Sequence, residues 1–171
     1  MSDISVIARH ALTVLAGQLA VMAFGVTDTI VAGRFSADAL AALSVASAVF
    51  VSVYVSLMGV LQALLPVWAE QHGRGETAAI GQSFRQSLYL AAAASVLGMG
   101  VLLFPEPLLR LTEVPDAMRE SVRDYLIIVG WALPSALFFR LYTTLNQALG
   151  RPQLVTWIQV GALVLKVPLS I

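Results

Sequence analysis

The chain has 171 residues, of which 58% are hydrophobic and 12% charged, and its mean hydropathy is +0.84. Soluble domains carry about 25% charged residues, so a water-soluble globule is excluded, and ten Lys/Arg against ten Asp/Glu leave no basic field for nucleic acid. With no Cys and only two isolated His, His10 and His72, the chain offers no disulfide framework, no Cys nucleophile and no His/Cys metal cluster.

The spacing of charges predicts the elements. Residues 11–33 contain one charge, Asp28; 39–69 and 86–105 contain none; 125–150 contain only Arg140; and 152–171 contain only Lys166. A helix of roughly 20 apolar residues, rising 1.5 Å per residue, crosses a hydrocarbon core of about 30 Å. All five segments reach that length, and runs such as Leu90–Leu103 lack the strict alternation of barrel strands. The expectation is an all-α, polytopic membrane protein with five spans.

The first segment, preceded by Arg9 and His10, is too long for a cleavable signal, whose apolar region runs about 7–15 residues, and is read as a retained span. Gly33–Asp38 then forms a tight hairpin. The second span carries Ala48, Ser52, Ser56, Gly59 and Gln62, read as a helix interface, with Pro66 closing the span. Glu70–Arg85 reads as a polar loop with a helix start. Ala91–Ala94 and Gly98 give the third span a packing face. In Pro105–Asp124, Leu108, Leu109, Leu111 and Val114 alternate with Arg110 and Glu113, as expected of a helix lying at the interface. Gly150-Arg151-Pro152 is a compact turn. Trp68, Tyr89, Tyr125 and Trp157 fall near span ends, where aromatic belts form. The last segment ends at Ile171 without a polar flank, as expected of a chain cut inside a helix.

Orientation does not follow from charge. With a cytoplasmic N-terminus, Arg9, Arg74, Arg85 and Arg151 lie inside and Arg34, Arg110, Arg119 and Arg123 outside, an even count.

Three ionisable residues lie within the spans, and each costs about 2.5–3.5 kcal/mol near a helix centre. Asp28 lies roughly 25 Å along the first span and Lys166 roughly 18 Å along the fifth, which runs in the same direction. The difference is within reach of a Lys side chain. Asp28 is therefore either an ion- or proton-binding carboxylate or the static partner of Lys166; the first is the leading reading, because intramembrane carboxylates usually mark ion pathways. Arg140 reads as an anchor nearer the cytoplasmic half of the fourth span, or as a cavity-lining residue. Gly25, Thr29 and Gly33 form a small-residue ridge suited to close helix approach. Gln18 shares a stripe with Gly25 and Thr29, beside Asp28, and packing does not account for it. Pro168, between Lys166 and Ser170, frees a carbonyl as prolines do at some transporter sites. Neither a nucleophile elbow, a Walker A loop, an H-E-x-x-H motif nor a pair of carboxylates at helical spacing within a span occurs in the sequence, so no enzyme activity is expected.

Gln18, then GVTDTIVAG over Gly25–Gly33, then Leu40-Ala41-Ala42-Leu43-Ser44 resembles the first hairpin of the MATE (multidrug and toxic compound extrusion) transporters, which runs Q…G-x-x-D-T-x-x-A-G…L-A-A. LPVWAEQHG over Leu65–Gly73 is similar to the P-x-x-A-Q-x-x-G closing the family's second helix. Gly150-Arg151-Pro152 and Val164–Ser170 are similar to its fourth-to-fifth connection and fifth helix. The resemblance covers essentially the whole chain. It implies twelve helices in two six-helix lobes, a cytoplasmic N-terminus, and exchange of H⁺ or Na⁺ for cationic drugs across a bacterial inner membrane, with no other cofactor. The chain then holds helices one to five of the N-terminal lobe, without the sixth helix or the C-terminal lobe, which is its expected partner together with membrane lipid. Asp28 matches the family's helix-one carboxylate, and Gln18 its helix-one glutamine.

One departure stands out. Where the family's fifth helix often reads N-x-P-x-N, this chain has Lys166 and Ser170. An ammonium beside Asp28 would take the place of a bound cation and hold the carboxylate ionised, which points to proton rather than sodium coupling. Two other readings are a flippase for a lipid-linked substrate, which calls for a more cationic cavity than Arg140 and Lys166 supply, and a truncated, non-transporting membrane fragment, which the sequence beyond Ile171 distinguishes.

Overall fold

The computed structural model describes residues 3–111 and 115–169; within them the side chains of 3–10 and 166–169, among others, fall outside the description. The regular elements of the described residues are all helices: α1 (Asp3–Phe35), α2 (Ala37–Gln62), α3 (Leu64–Gly73), α4 (Thr77–Leu103), α5 (Glu106–Leu111), α6 (Asp116–Ala148) and α7 (Pro152–Leu169). Ala37–Gly73, Thr77–Leu103 and Met118–Ala148 are long and apolar enough to cross a membrane. α1, with 33 residues, is about 50 Å long and α7, with 18, about 27 Å. The chain is an all-α polytopic membrane protein.

Local chemistry sets the joints. Ser36, in extended conformation, caps α2 by accepting the Ala39 N–H at 3.0 Å on its hydroxyl oxygen. α3 and α6 end alike. Gly75 (φ +73) and Gly150 (φ +67) take the left-handed conformation; the Gly75 N–H donates to the His72 carbonyl and the Glu76 N–H to that of Gln71. The Gly150 and Arg151 N–H groups repeat the pattern on Gln147 and Asn146. This is the Schellman arrangement, which a Cβ would strain. Pro152 then opens α7, where no N–H is needed.

The predicted turns at Gly33–Asp38 and Gly150–Pro152 are present, but other boundaries differ. The expected loop Glu70–Arg85 is helical except for a turn at 74–76, because the Gly75 cap lets α4 begin at Thr77. Pro66 does not close the second span. The helix breaks at Ala63 and resumes at Leu64, because Pro66 has no N–H for the Gln62 carbonyl yet sits comfortably in the first turn of α3. The expected interfacial helix shrinks to α5, whose Leu109 is buried in the core, and α6 already starts at Asp116; Val114 lies outside the described residues.

α2, α4 and α6 form the packed centre, with α3 against α4 and α6. Leu61, Leu102, Leu126, Leu133, Leu137 and Leu141 are fully buried there. Of the predicted face Ala91–Ala94 and Gly98, it is Ala91, Ala94 and Gly98 that carry the close approach of α4, while Ala92 and Ala93 are exposed. A Cβ at Gly98 would overlap methyl groups of Leu133 and Leu57, and one at Gly130 would lie 3.2 Å from the Leu102 Cβ. Lipid is as apolar as leucine, so small residues that admit close backbone contact decide which helices associate. α1 lies outside this centre against α2 and α7, and α7 also touches α6.

Of two further predicted interfaces, the one on α1 is absent among the described residues and the one on α2 holds only at Gln62, which accepts from Arg140 of α6. Ala48, Ser52, Ser56 and Gly59 are exposed, with both Ser hydroxyls donated to carbonyls one turn back; α2 packs instead through Ala42, Ala46, Val49 and Leu61. On α1, a Cβ at Gly25 would meet nothing within 4 Å, and one at Gly33 only a Leu40 methyl. Trp68 is no belt residue either. It is fully buried, its indole N–H donating to the Ser83 hydroxyl at 2.6 Å and its ring tilted against Phe84, whereas Tyr89 and Trp157 are exposed.

Candidate functional site

Asp28 is half-buried on α1. Together with Met22, Gly25, Thr29, Leu43 and Ser47 it lines an open groove of about 460 Å³ between α1 and α2. The absent side chain at Gly25 keeps that groove wide. Thr29 donates its hydroxyl proton to the Gly25 carbonyl at 2.8 Å, so toward the groove its oxygen can only accept. The walls are mostly apolar, with a carboxylate, a threonine and a serine as polar points. Such a surface suits an amphipathic cation: apolar contact over most of its area and one fixed negative charge.

Gln18 and Arg140, predicted as cavity-lining residues, do come together, but away from Asp28. Ten residues separate Gln18 from Asp28, about 15 Å along α1. Gln18 and Arg140 line a second, small pocket between α1, α6 and α7 with Thr143, Gln147, Thr156 and Gln159. Arg140 is half-buried and donates to the Gln62 side-chain oxygen of α2 at 2.6 Å. Gln62 sits at the end of α2, just before the break that Pro66 causes. Arg140 therefore does more than reach for a membrane surface: it ties α6 to α2.

Lys166 belongs to α7, whose backbone runs along α1; its side chain, like Ser170, lies outside the described residues. The polar end of α6 escaped the sequence reasoning. Thr143, Thr144 and Asn146 are buried and donate to the carbonyls of Phe139, Arg140 and Tyr142. Their signal was the cluster Thr143-Thr144-Leu145-Asn146-Gln147 one turn after Arg140, inside a span judged only by its charges.

The MatE family model matches residues 14–171. The chain belongs to the MatE family. It is 37% identical over 162 residues to a probable multidrug resistance protein NorM of Aromatoleum aromaticum, covering 95% of this chain and 35% of that protein. A probable NorM of Neisseria meningitidis serogroup B is 30% identical over 99% of the chain and 37% of its own length. The multidrug resistance protein MdtK of Pectobacterium atrosepticum is 35% identical over 77% of the chain and 29% of its own length. The chain thus spans about a third of the length of the curated relatives it matches. The MatE match covers both the Asp28 groove and the Arg140 pocket.

Proposed function

We propose that this MatE chain is the first five-span part of a transporter lobe that exports organic cations or drugs across a bacterial inner membrane in exchange for protons. The observation that carries this reading is the position of Asp28: a half-buried carboxylate in an otherwise uncharged membrane stretch, opening on a groove with mostly apolar walls. The names of the NorM and MdtK relatives support drugs as the cargo. A carboxylate in such a place binds a proton or a cation, but not both at full strength, since protonation removes the charge that attracts the cation. Loading Asp28 with a proton from one side would release the cargo, and loss of that proton on the other would restore the site. The equilibrium between two orientations of the lobes then does the moving. A second lobe, encoded beyond the residues matched here, would supply the surface against which this one rocks, with the N-terminus in the cytoplasm. Lys166, on the helix running beside α1, supports protons over sodium: an ammonium within reach of Asp28 would repel Na⁺ and hold the carboxylate ionised until a proton displaces the pairing.

The test is ethidium efflux from cells expressing the protein from its complete gene, with the proton and sodium gradients collapsed separately. Efflux should fail on proton collapse and in Asp28→Asn, and continue on sodium collapse. Undiminished efflux in Asp28→Asn would remove Asp28 from the coupling step. Sodium-driven efflux at fixed pH that needs Asp28 and survives Lys166→Ala would overturn proton coupling.

A further inference from the structure

The small pocket between α1, α6 and α7 plays no part in the transport reading. Arg140 brings five N–H donors into a membrane-spanning helix and can lose none of them by deprotonation. One terminal nitrogen donates to Gln62, while its Nε is buried without a hydrogen-bond partner. Among the described residues no carboxylate forms an ion pair with it. A buried N–H left in this state is costly, more so when it carries charge, so a filled pocket is favoured over an empty one.

The lining says what fills it. The enclosed volume is about 10 Å³, room for the centre of one water-sized body. Thr143 has already given its hydroxyl proton to the Phe139 carbonyl, so it can only accept, and the Gln18, Gln147 and Gln159 amides bring further acceptor oxygens. A cation is repelled by the guanidinium, and a halide is larger than the space. Apolar matter would leave Nε unpaired. Gly17 shows that the site is built into the helix contact: a Cβ there would stand 2.5 Å from the Gln159 Oε1 and 3.3 Å from the Thr156 Oγ1. The bare glycine lets these polar ends lie directly against α1.

We propose that this pocket is a buried hydration site, in which one water accepts from Arg140 Nε and donates its two protons to side-chain oxygens presented by α1 and α7. The water makes Arg140 the junction of four helices, through Gln62 to α2 and through the solvent molecule to α1 and α7. It fixes the helix that carries Asp28 to the packed centre at a point about 15 Å from the carboxylate. This assignment does not depend on the cargo or the coupling ion.

Hydroxyl-radical footprinting of the protein, expressed from its complete gene and held in lipid nanodiscs, tests it, since radicals generated from bound water label the side chains that touch it. Val155 lines the pocket and is 4% exposed; Leu133, in the centre, is fully buried. After correction for intrinsic reactivity, Val155 should label about fivefold faster than Leu133, and Arg140→Met should bring it down to the Leu133 rate. Equal rates in the unaltered protein would overturn the site, and so would a fast Val155 rate that Arg140→Met leaves unchanged. If Arg140→Met does not fold, the unaltered protein still decides. A structure in bromide with an anomalous peak beside Arg140 Nε would replace water by an anion.

Discussion

The packed centre of α2, α4 and α6 and the outlying pair α1 and α7 are both made from largely apolar sequence, yet they pack very differently. The centre buries whole leucines, and its glycines are pressed against neighbouring side chains. The outlying pair leaves Leu12, Leu15, Met22, Val26, Trp157 and Leu165 exposed, and carries Asp28, Gln18 and Gln159. On the proposed function, the division is between scaffold and working surface. Asp28 sits where the packing is loose, beside an open groove, whereas Arg140 ties the tight helices α6 and α2 together.

The same substitution made in both regions should show this difference most sharply. Gly98→Ala drives a methyl into Leu133, which is fully buried and has no open space to turn into. The expected cost is roughly 1–3 kcal/mol, read as loss of folded protein in a detergent unfolding titration. A smaller loss is expected at the edge of the centre. Trp68→Phe keeps the ring contact with Phe84 but removes the N–H that Ser83 accepts, costing about 0.5–1.5 kcal/mol in the same titration. Gly25→Ala, in the outlying pair, meets nothing; it should be neutral or slightly stabilising, because alanine is the better helix former by up to about 1 kcal/mol. A large loss at Gly25 would mean that another surface covers this face in the folded protein, and would move α1 from working surface to scaffold.

Much of the architecture was legible in the sequence. Charge-free stretches located the helices, Gly33–Asp38 and Gly150-Arg151-Pro152 marked two of the turns, and the motif around Asp28 carried the family resemblance that the MatE match then established. Legibility stopped at the faces. The small-residue ridges on α1 and α2 read like the one on α4, but only that on α4 is packed. Trp68 read as an interfacial anchor because its position in the sequence is that of a span end; it is buried because Pro66 re-aims the chain into α3, which lies against α4 and α6.

The sequence by itself determined that this is an all-α membrane chain of the MatE family, with one carboxylate deep in its first helix, because the cost of placing charge in hydrocarbon makes spans visible as gaps between charges. Only the tertiary structure decided which faces pack, that Asp28 opens on a groove with Thr29 and Ser47, and that Gln18 meets Arg140 in a separate pocket. The reason is the solvent. In water an apolar face must be buried, so hydropathy predicts packing; in lipid an apolar face is at home inside or out, and contact is settled by shape and by the few polar groups that must find one another.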